Sequence, residues 1–242
     1  MFSCGTLTQE KAISPPVSFE NKTLKVESSS GCEEEQACAR YIVNFPEFSG
    51  LDTMITDQLQ REMSVLLSMG DPEPQPKTFQ KAGEEFVKDY LDFTKEMPES
   101  NLGWYYYGNV NVNVLTDTLL SLSVEEEYFT GGAHGSMGTY FININPKTGS
   151  KITLSSVLKD GYIDSLTEIG EQAFKSEREL SDTTSYQYNS FEFPNNQFQL
   201  NSNYGFMPEG IVFYFNSYEI APYAVGPTEV LIPYDKIKDW LK

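Results

Sequence analysis

Histidine is almost missing from this sequence, which holds a single copy, His134, in 242 residues. A metal site built on several histidines is therefore excluded, although Asp and Glu can still join one imidazole. Cations are scarce as well. The 17 Lys and Arg face 35 Asp and Glu, for a net charge of −18. Such a field repels nucleic-acid phosphates and anionic lipid headgroups, and it attracts cationic proteins or peptides. The plainer reading is that the charge keeps a surface protein soluble. No apolar run reaches the roughly 18 residues of a membrane span. The basic start and apolar stretch of a complete signal peptide are missing too. Basic patches, a phosphate-binding glycine loop and an EF-hand calcium loop are also absent. The sequence therefore implies no nucleic acid, no metal and no cofactor.

Cysteine is nearly as rare, and its three copies fall into two groups. Ser3-Cys4-Gly5 resembles the end of a lipoprotein signal, with Cys4 as the residue to be lipidated and Met1 where leucine is usual. The apolar part of that signal would lie upstream or have been trimmed. The other reading is a chance cysteine in a flexible terminus. Cys32 and Cys38 enclose three glutamates, which disfavour thiolates, and no further soft ligand stands nearby to complete a zinc site. A loop-closing disulfide is the simplest reading and implies an oxidising compartment. Two unpaired thiols in a reduced protein is the alternative.

What the chain does contain suits a globular α+β protein. Hydrophobic residues at 39% and aromatics at 14% supply a core, and charged residues at 21% are too few for disorder. The length fits one large domain or two small ones sharing a core. Residues 1–20 read as a tether, ending in a stretch rich in Thr, Ser and Pro. Strands are expected at 23–27 and 40–46, on either side of the cysteine loop. A helix over 50–69 follows, with Leu51, Ile55, Leu59, Met63 and Leu66 on one face. Pro72, Pro74 and Pro76 form a stiff connector. Thr78 then caps a second helix whose buried stripe is Phe79, Ala82, Phe86, Tyr90, Phe93 and Met97. In the middle, Trp104, Tyr106, Val110, Val112 and Val114 alternate with Tyr105, Asn109, Asn111 and Asn113, giving a strand with one wetter face. Further strands, 120–129 and 139–145, complete an antiparallel meander. A third helix is expected over 162–180 and a long irregular connection over 181–203. Strands return at 198–200, 210–215 and 230–232, and a short helix over 234–241 closes the chain.

Few constellations carry chemistry. His134 sits in Gly131-Gly132-Ala133-His134-Gly135, a glycine-shaped loop. Ser136 is too close in sequence to suggest a triad, and no Gly-x-Ser-x-Gly elbow exists. His134 therefore holds a loop by hydrogen bonds, contacts a ligand, or acts in catalysis, in that order of preference. Glu125-Glu126-Glu127 and Glu33-Glu34-Glu35 read as solvated faces, and no carboxylate pair stands out for glycoside hydrolysis. Tyr218-Glu219-Ile220-Ala221-Pro222-Tyr223-Ala224-Val225-Gly226-Pro227 is rich in tyrosine and bounded by Pro and Gly. It makes either a rigid contact surface or a corner that only packs.

Two stretches are specific enough to place. Tyr128-Phe129-Thr130-Gly131-Gly132-Ala133-His134-Gly135, leading to Lys147-Thr148-Gly149 and Ile152-Thr153-Leu154, resembles a family of bacterial extracytoplasmic domains. So does Gly210-Ile211-Val212-Phe213-Tyr214-Phe215, followed by Tyr218 to Tyr223, Gly226 and Ile232-Pro233-Tyr234. This RsiV/PdaC-like family includes the sensor domain of a lysozyme-binding anti-sigma factor and a non-catalytic domain of a peptidoglycan deacetylase. The resemblance covers about residues 22–242. It implies an α+β fold of antiparallel sheet with packed helices, in two closely associated sub-domains over 21–145 and 146–242. The family's sigma-binding segment, membrane span and deacetylase domain are lacking, so neither signalling by that route nor deacetylation is implied. The expectation is a non-enzymatic binding module in the bacterial envelope that meets the membrane only through a lipid on Cys4. Its partner is a cationic protein such as lysozyme or a peptidoglycan fragment, met by His134, Gly132, Tyr218, Tyr223 and Gly226. The alternative is an envelope carbohydrate hydrolase working through carboxylates.

Overall fold

The computed structural model describes residues 16–29, 31–32, 37–69, 78–181, 183 and 185–242. Cys4, residues 1–15 of the expected tether, Glu33 to Glu35 and the Pro72–Pro76 connector lie outside them. The first half comprises β1 (Ser18–Glu27), β2 (Ala39–Ser49), α1 (Thr53–Leu66), α2 (Phe79–Glu96), β3 (Trp104–Leu115), β4 (Leu120–Phe129) and β5 (Ser136–Ile144). The five strands lie side by side in sequence order. β2 and β3 run parallel, and every other neighbouring pair is antiparallel. A parallel pair needs a crossover, and the two helices between β2 and β3 supply it. The expected β3–β4–β5 meander is present. β1 begins at Ser18, earlier than expected, so the last residues of the supposed tether belong to the sheet.

Both helices cover one face of this sheet. Asp52 caps α1 by accepting from the Met54 amide, and Thr78 caps α2 by accepting from the Lys81 amide. Ile55, Leu59 and Met63 of α1, with Phe79, Phe86 and Tyr90 of α2, bury against Tyr41, Val43, Tyr106, Val110, Leu122 and Val124. Tyr41 stacks on Tyr106 with ring centres 4.7 Å apart. Met97, expected in the stripe, is exposed because α2 ends at Glu96 and leaves it beyond the last helical turn. Val114 also departs from expectation. A bulge between Val112 and Val114 flips the alternation, so Val114 pairs with Ser121 and Leu115 pairs with the buried Leu120.

The second half comprises α3 (Leu154–Val157), α4 (Tyr162–Glu177), β6 (Tyr204–Phe206), β7 (Gly210–Phe215), β8 (Thr228–Pro233) and α5 (Tyr234–Ile237). Its three strands form an antiparallel sheet in the order β6-β7-β8. Phe174 of α4 centres a second core, with the rings of Phe191, Phe193 and Phe198 at 5.0, 5.4 and 5.3 Å. The expected strand at 198–200 does not form. Phe198 is buried as a loop residue in the aromatic cluster, and the pairing partner of β7 is β6 instead.

The two halves meet on the sheet face opposite α1 and α2. The Phe206 amide donates to Ser121 Oγ at 3.0 Å, and Asn143 Nδ2 donates to the Tyr204 carbonyl at 2.8 Å. A Cβ on Gly205 would lie 2.2 Å from the Phe141 ring, so only glycine allows this approach. The fold is thus α+β, with two mainly antiparallel sheets and packed helices. β6 covers part of the wet face and leaves the rest of that face open.

Candidate functional site

Strand register decides which loops share an end of the larger sheet. Glu27 pairs with Arg40, Arg40 with Tyr105, Tyr105 with Phe129, and the adjacent Tyr128 with Ser136. The loop holding Cys32 and Cys38, which joins β1 to β2, therefore shares an end with the His134 loop, which joins β4 to β5. Cys32 and Cys38 are bonded, with Cα atoms 6.0 Å apart.

The Tyr218–Gly226 loop, between β7 and β8, folds onto the His134 loop. The His134 ring lies flat on the Tyr223 ring, 3.9 Å between centres and 13° between planes. His134 Nδ1 is 2.8 Å from the Gly135 carbonyl, which can only accept, so Nδ1 carries the proton. Nε2 then presents its lone pair to the Tyr218 hydroxyl at 3.4 Å. The Tyr223 hydroxyl also donates to the Gly135 carbonyl, at 3.2 Å. The ring centres of Tyr218 and Tyr223 are 5.6 Å apart. Tyr218 is 66% exposed and holds φ at 69°. A left-handed backbone at a residue with a bulky side chain costs on the order of 1–2 kcal/mol. Glu219 helps hold that turn, accepting from the Asn216 amide at 2.9 Å and from Asn201 Nδ2 at 2.7 Å.

Arg178, just past α4, braces the same loop from behind. Its guanidinium donates to Thr228 Oγ1 and to the carbonyls of Val225, Gly226 and Pro227, and it lies over the Phe191 ring. Sequence reading passes over Arg178 because its partners are mostly backbone carbonyls almost fifty residues away.

Beside the paired loops, the open sheet face carries tyrosines and acids. Tyr105 stacks with Tyr107 at 5.3 Å, and its hydroxyl donates to Glu127 at 3.2 Å. Burial raises the Tyr105 phenol above its usual range, helped by the charge of Glu127. A crevice of about 200 Å³ opens between this face and β7, lined by Tyr107, Asn109, Glu125, Glu127, Thr139 and Tyr214 among others. Arg40 stands 5.8 Å from the centre of the Tyr107 ring. Thr139 is held by Asn216, whose Oδ1 accepts from its amide at 2.8 Å.

The glutamate run is not uniformly solvated. Pleating sends Glu125 and Glu127 to the open face and Glu126 to the core side, where it is 6% exposed. Glu126 accepts from the Tyr106 hydroxyl at 3.0 Å and from the Met69 amide at 3.3 Å. Burial raises its carboxyl above the usual range, and those two bonds only partly offset the rise.

Of the residues singled out by sequence, His134, Tyr218 and Tyr223 are in mutual contact. Gly132, at φ 101°, has open space around it in the same loop. Gly226, at φ 76°, ends the short turn of Tyr223–Val225. Cys4 lies outside the described residues. Among the described residues, no group of three or more His, Cys, Asp or Glu is placed to hold a metal. No helix among them is long and apolar enough to cross a membrane.

Comparison with known proteins places this architecture. Residues 32–137 match the family model described as deacetylase PdaC, and residues 155–235 match the model of a protein family of unknown function, DUF3298. No curated protein matches the chain. A DUF3298-family crystal structure from Bacteroides fragilis superposes with a TM-score of 0.67 at 20% identity, covering 93% of this chain and 94% of that one. A DUF3298-family structure from Pseudomonas aeruginosa gives 0.68 at 22% identity, covering 95% and 96%. The resemblance drawn from the motifs therefore holds. A PdaC-type segment is followed by a DUF3298-type segment, on the fold of the DUF3298 structures.

Proposed function

We propose that this chain is a non-catalytic binding module of the bacterial envelope, held outside the cytoplasmic membrane by a lipid on Cys4. Its surface of paired loops and crevice captures a cationic protein such as a lysozyme. The observation that carries this reading is Tyr218, exposed and held in a left-handed backbone beside Tyr223, His134 and an acid-lined crevice. Strain at an exposed aromatic residue is maintained by its surroundings, as in a preorganised contact surface. Tyrosine adds apolar area with little conformational entropy to lose. A Lys or Arg of the partner meets carboxylates at Glu125 and Glu127 and the face of an aromatic ring, both of which favour a cation. The net charge of −18 speeds encounter with a basic protein.

The test is a binding titration with hen lysozyme and, separately, with soluble peptidoglycan fragments. Tyr218→Ala should weaken lysozyme binding by about 2 kcal/mol, roughly thirtyfold, mainly through faster dissociation. Glu125→Gln with Glu127→Gln should instead slow association and flatten its salt dependence. Binding of the fragments alone would move the reading from a protein partner to a wall glycan. If neither probe binds, or if both variants bind as the parent does, the surface has another role.

Hydrolysis is the second reading, and it rests on Glu125 and Glu127, which line the crevice. The raised carboxyl of Glu126 points to the opposite face of the sheet and takes no part. A glycosidase needs one protonated and one ionised carboxyl. Release of reducing sugar from peptidoglycan that disappears in Glu127→Gln would establish that reading over the first.

A further inference from the structure

Another cleft lies elsewhere, along the outer edge of β5. It encloses about 420 Å³, within the range of roughly 300–1,000 Å³ typical of ligand sites. α1 forms one wall with Arg61, Val65 and Leu66, and the second half forms the other with Ile152 and Tyr204. Phe141, Ile142 and Asn143 of β5 form the floor. Gln58 Nε2 bonds to the Gly149 carbonyl at 3.2 Å and ties α1 to the turn after β5.

The floor is a strand edge with most of its backbone groups already used. Outward-facing groups alternate along an edge strand, which puts residues 139, 141, 143 and 145 in one row. Asn216 takes the Thr139 amide, and Asn203 and Asn216 both donate to the Thr139 carbonyl. The Asn143 carbonyl accepts from the Ile152 amide at 2.8 Å, and the Asn145 amide donates to the Ser150 carbonyl at 2.9 Å. Only Phe141 in this row has no partner among the described residues. Its N–H and C=O face the cleft between two capped neighbours. Unpaired edge groups of this kind are a template for one more strand.

Charge narrows the occupant. Arg61 and Lys151 both line the cleft, are exposed, and make no ion pair among the described residues. The one acid of the lining, Glu62, accepts from Gln58 Nε2 at 3.0 Å. Two unpaired cations beside apolar walls stand out in a chain with twice as many acids as bases. We infer that this cleft binds the free carboxyl end of a short, extended, apolar peptide. The peptide backbone pairs with Phe141, an apolar side chain lies between Val65 and Ile152, and the terminal carboxylate meets Arg61 and Lys151. This is strand addition combined with carboxylate capture, two known modes of peptide recognition. The caps at Thr139 and Asn143 limit the added strand to a few residues. The inference does not depend on the lysozyme reading, since it uses a different surface.

The experiment titrates the full chain with N-acetylated Ala-Val-Leu as the free acid, with its C-terminal amide, and with decanoate. The free acid should bind at least tenfold more tightly than the amide and should slow hydrogen exchange at the Phe141 amide. Arg61→Gln with Lys151→Gln should reduce the free acid to the level of the amide, and both side chains are exposed, so the variant keeps its fold. Equal affinity for acid and amide would overturn the inference, as would binding without protection of the Phe141 amide. Decanoate binding more tightly than the tripeptide would make this an acyl-anion site and would also overturn it.

Discussion

Single side chains decide how the candidate site is held. His134 uses both ring nitrogens within the protein, one toward Gly135 and one toward Tyr218. Its position in the Gly131-Gly132-Ala133-His134-Gly135 loop and its grouping with Tyr218 and Tyr223 were legible, but its flat stacking on the Tyr223 ring was not. Arg178 was not legible at all, because nothing local distinguishes an arginine that binds carbonyls from one that is solvated. Glu126 shows the same limit from the other side. In sequence it is one of three acids, and only strand pleating separates it from its neighbours. Its folded-state carboxyl lies above its unfolded value, so ionisation disfavours the fold. That penalty is absent below the unfolded value, develops as pH rises through the ordinary carboxylate range, and is complete above the raised value. Glu126→Gln retains an oxygen for the Tyr106 hydroxyl and the Met69 amide and carries no charge. The variant should therefore melt higher than the parent at pH 8, with the gap closing on acidification toward pH 4. Calorimetry over that range checks this, and a variant less stable than the parent at pH 8 would show that the carboxylate is favourable there.

At the scale of elements, periodicity read the helices well and the sheet edges poorly. The stripe of α2 from Phe79 to Phe93 follows helical spacing, and Thr78 caps it as expected. The bulge at Val112/Val114 leaves no local mark, since the residues still alternate in type across it. The strand expected at 198–200 failed for a different reason. Phe198 is apolar because it enters an aromatic cluster, and that demand resembles a strand's in a short window. Gly83 of α2 is a third case, readable as a helix weakness but not as a contact. A Cβ there would lie 2.7 Å from Val26 Cγ2 and 2.8 Å from Tyr41 Cδ1. Replacing a helical glycine by alanine gains about 1 kcal/mol in helix propensity. Overpacking a filled core costs about 1–3 kcal/mol. Val26 is β-branched and Tyr41 is fixed in its stack on Tyr106, so neither yields easily. Gly83→Ala should therefore be net destabilising by about 1 kcal/mol or more. Urea denaturation measures the difference, and a stabilised variant would show that α2 can lift off β1 and β2 at little cost.

Over the whole molecule, the feature least visible in the sequence is the joint between the halves. Each half has its own aromatic core, one around Tyr41, Phe86 and Tyr106 and the other around Phe174. The contacts that join them come from Ser121, Asn143, Asn203, Gly205 and Asn216, polar or small residues that read as wet strand or loop. Among the described residues, the hydrogen bonds between the halves include three between Thr139 and the pair Asn203 and Asn216, one from Asn143 to Tyr204, one from Phe206 to Ser121 and one from Tyr223 to Gly135. At about 1 kcal/mol each, they couple the halves by several times thermal energy, before the Phe141 ring on Gly205 is counted. The halves should consequently unfold together. The two tryptophans allow a direct check, because Trp104 packs on the first core and Trp240 on the second. With Trp240→Phe, fluorescence follows only the first half, and with Trp104→Phe only the second. Denaturation curves of these two variants should share one midpoint, after correction for any stability change read by circular dichroism, as two-state unfolding requires. Adding Gly205→Val to each should drive the Phe141 ring out of the joint and separate the midpoints. Separate midpoints without that substitution would mean that the joint is too weak to couple the cores. In that case the β5 cleft, whose walls come from both halves, would open and close with their relative motion.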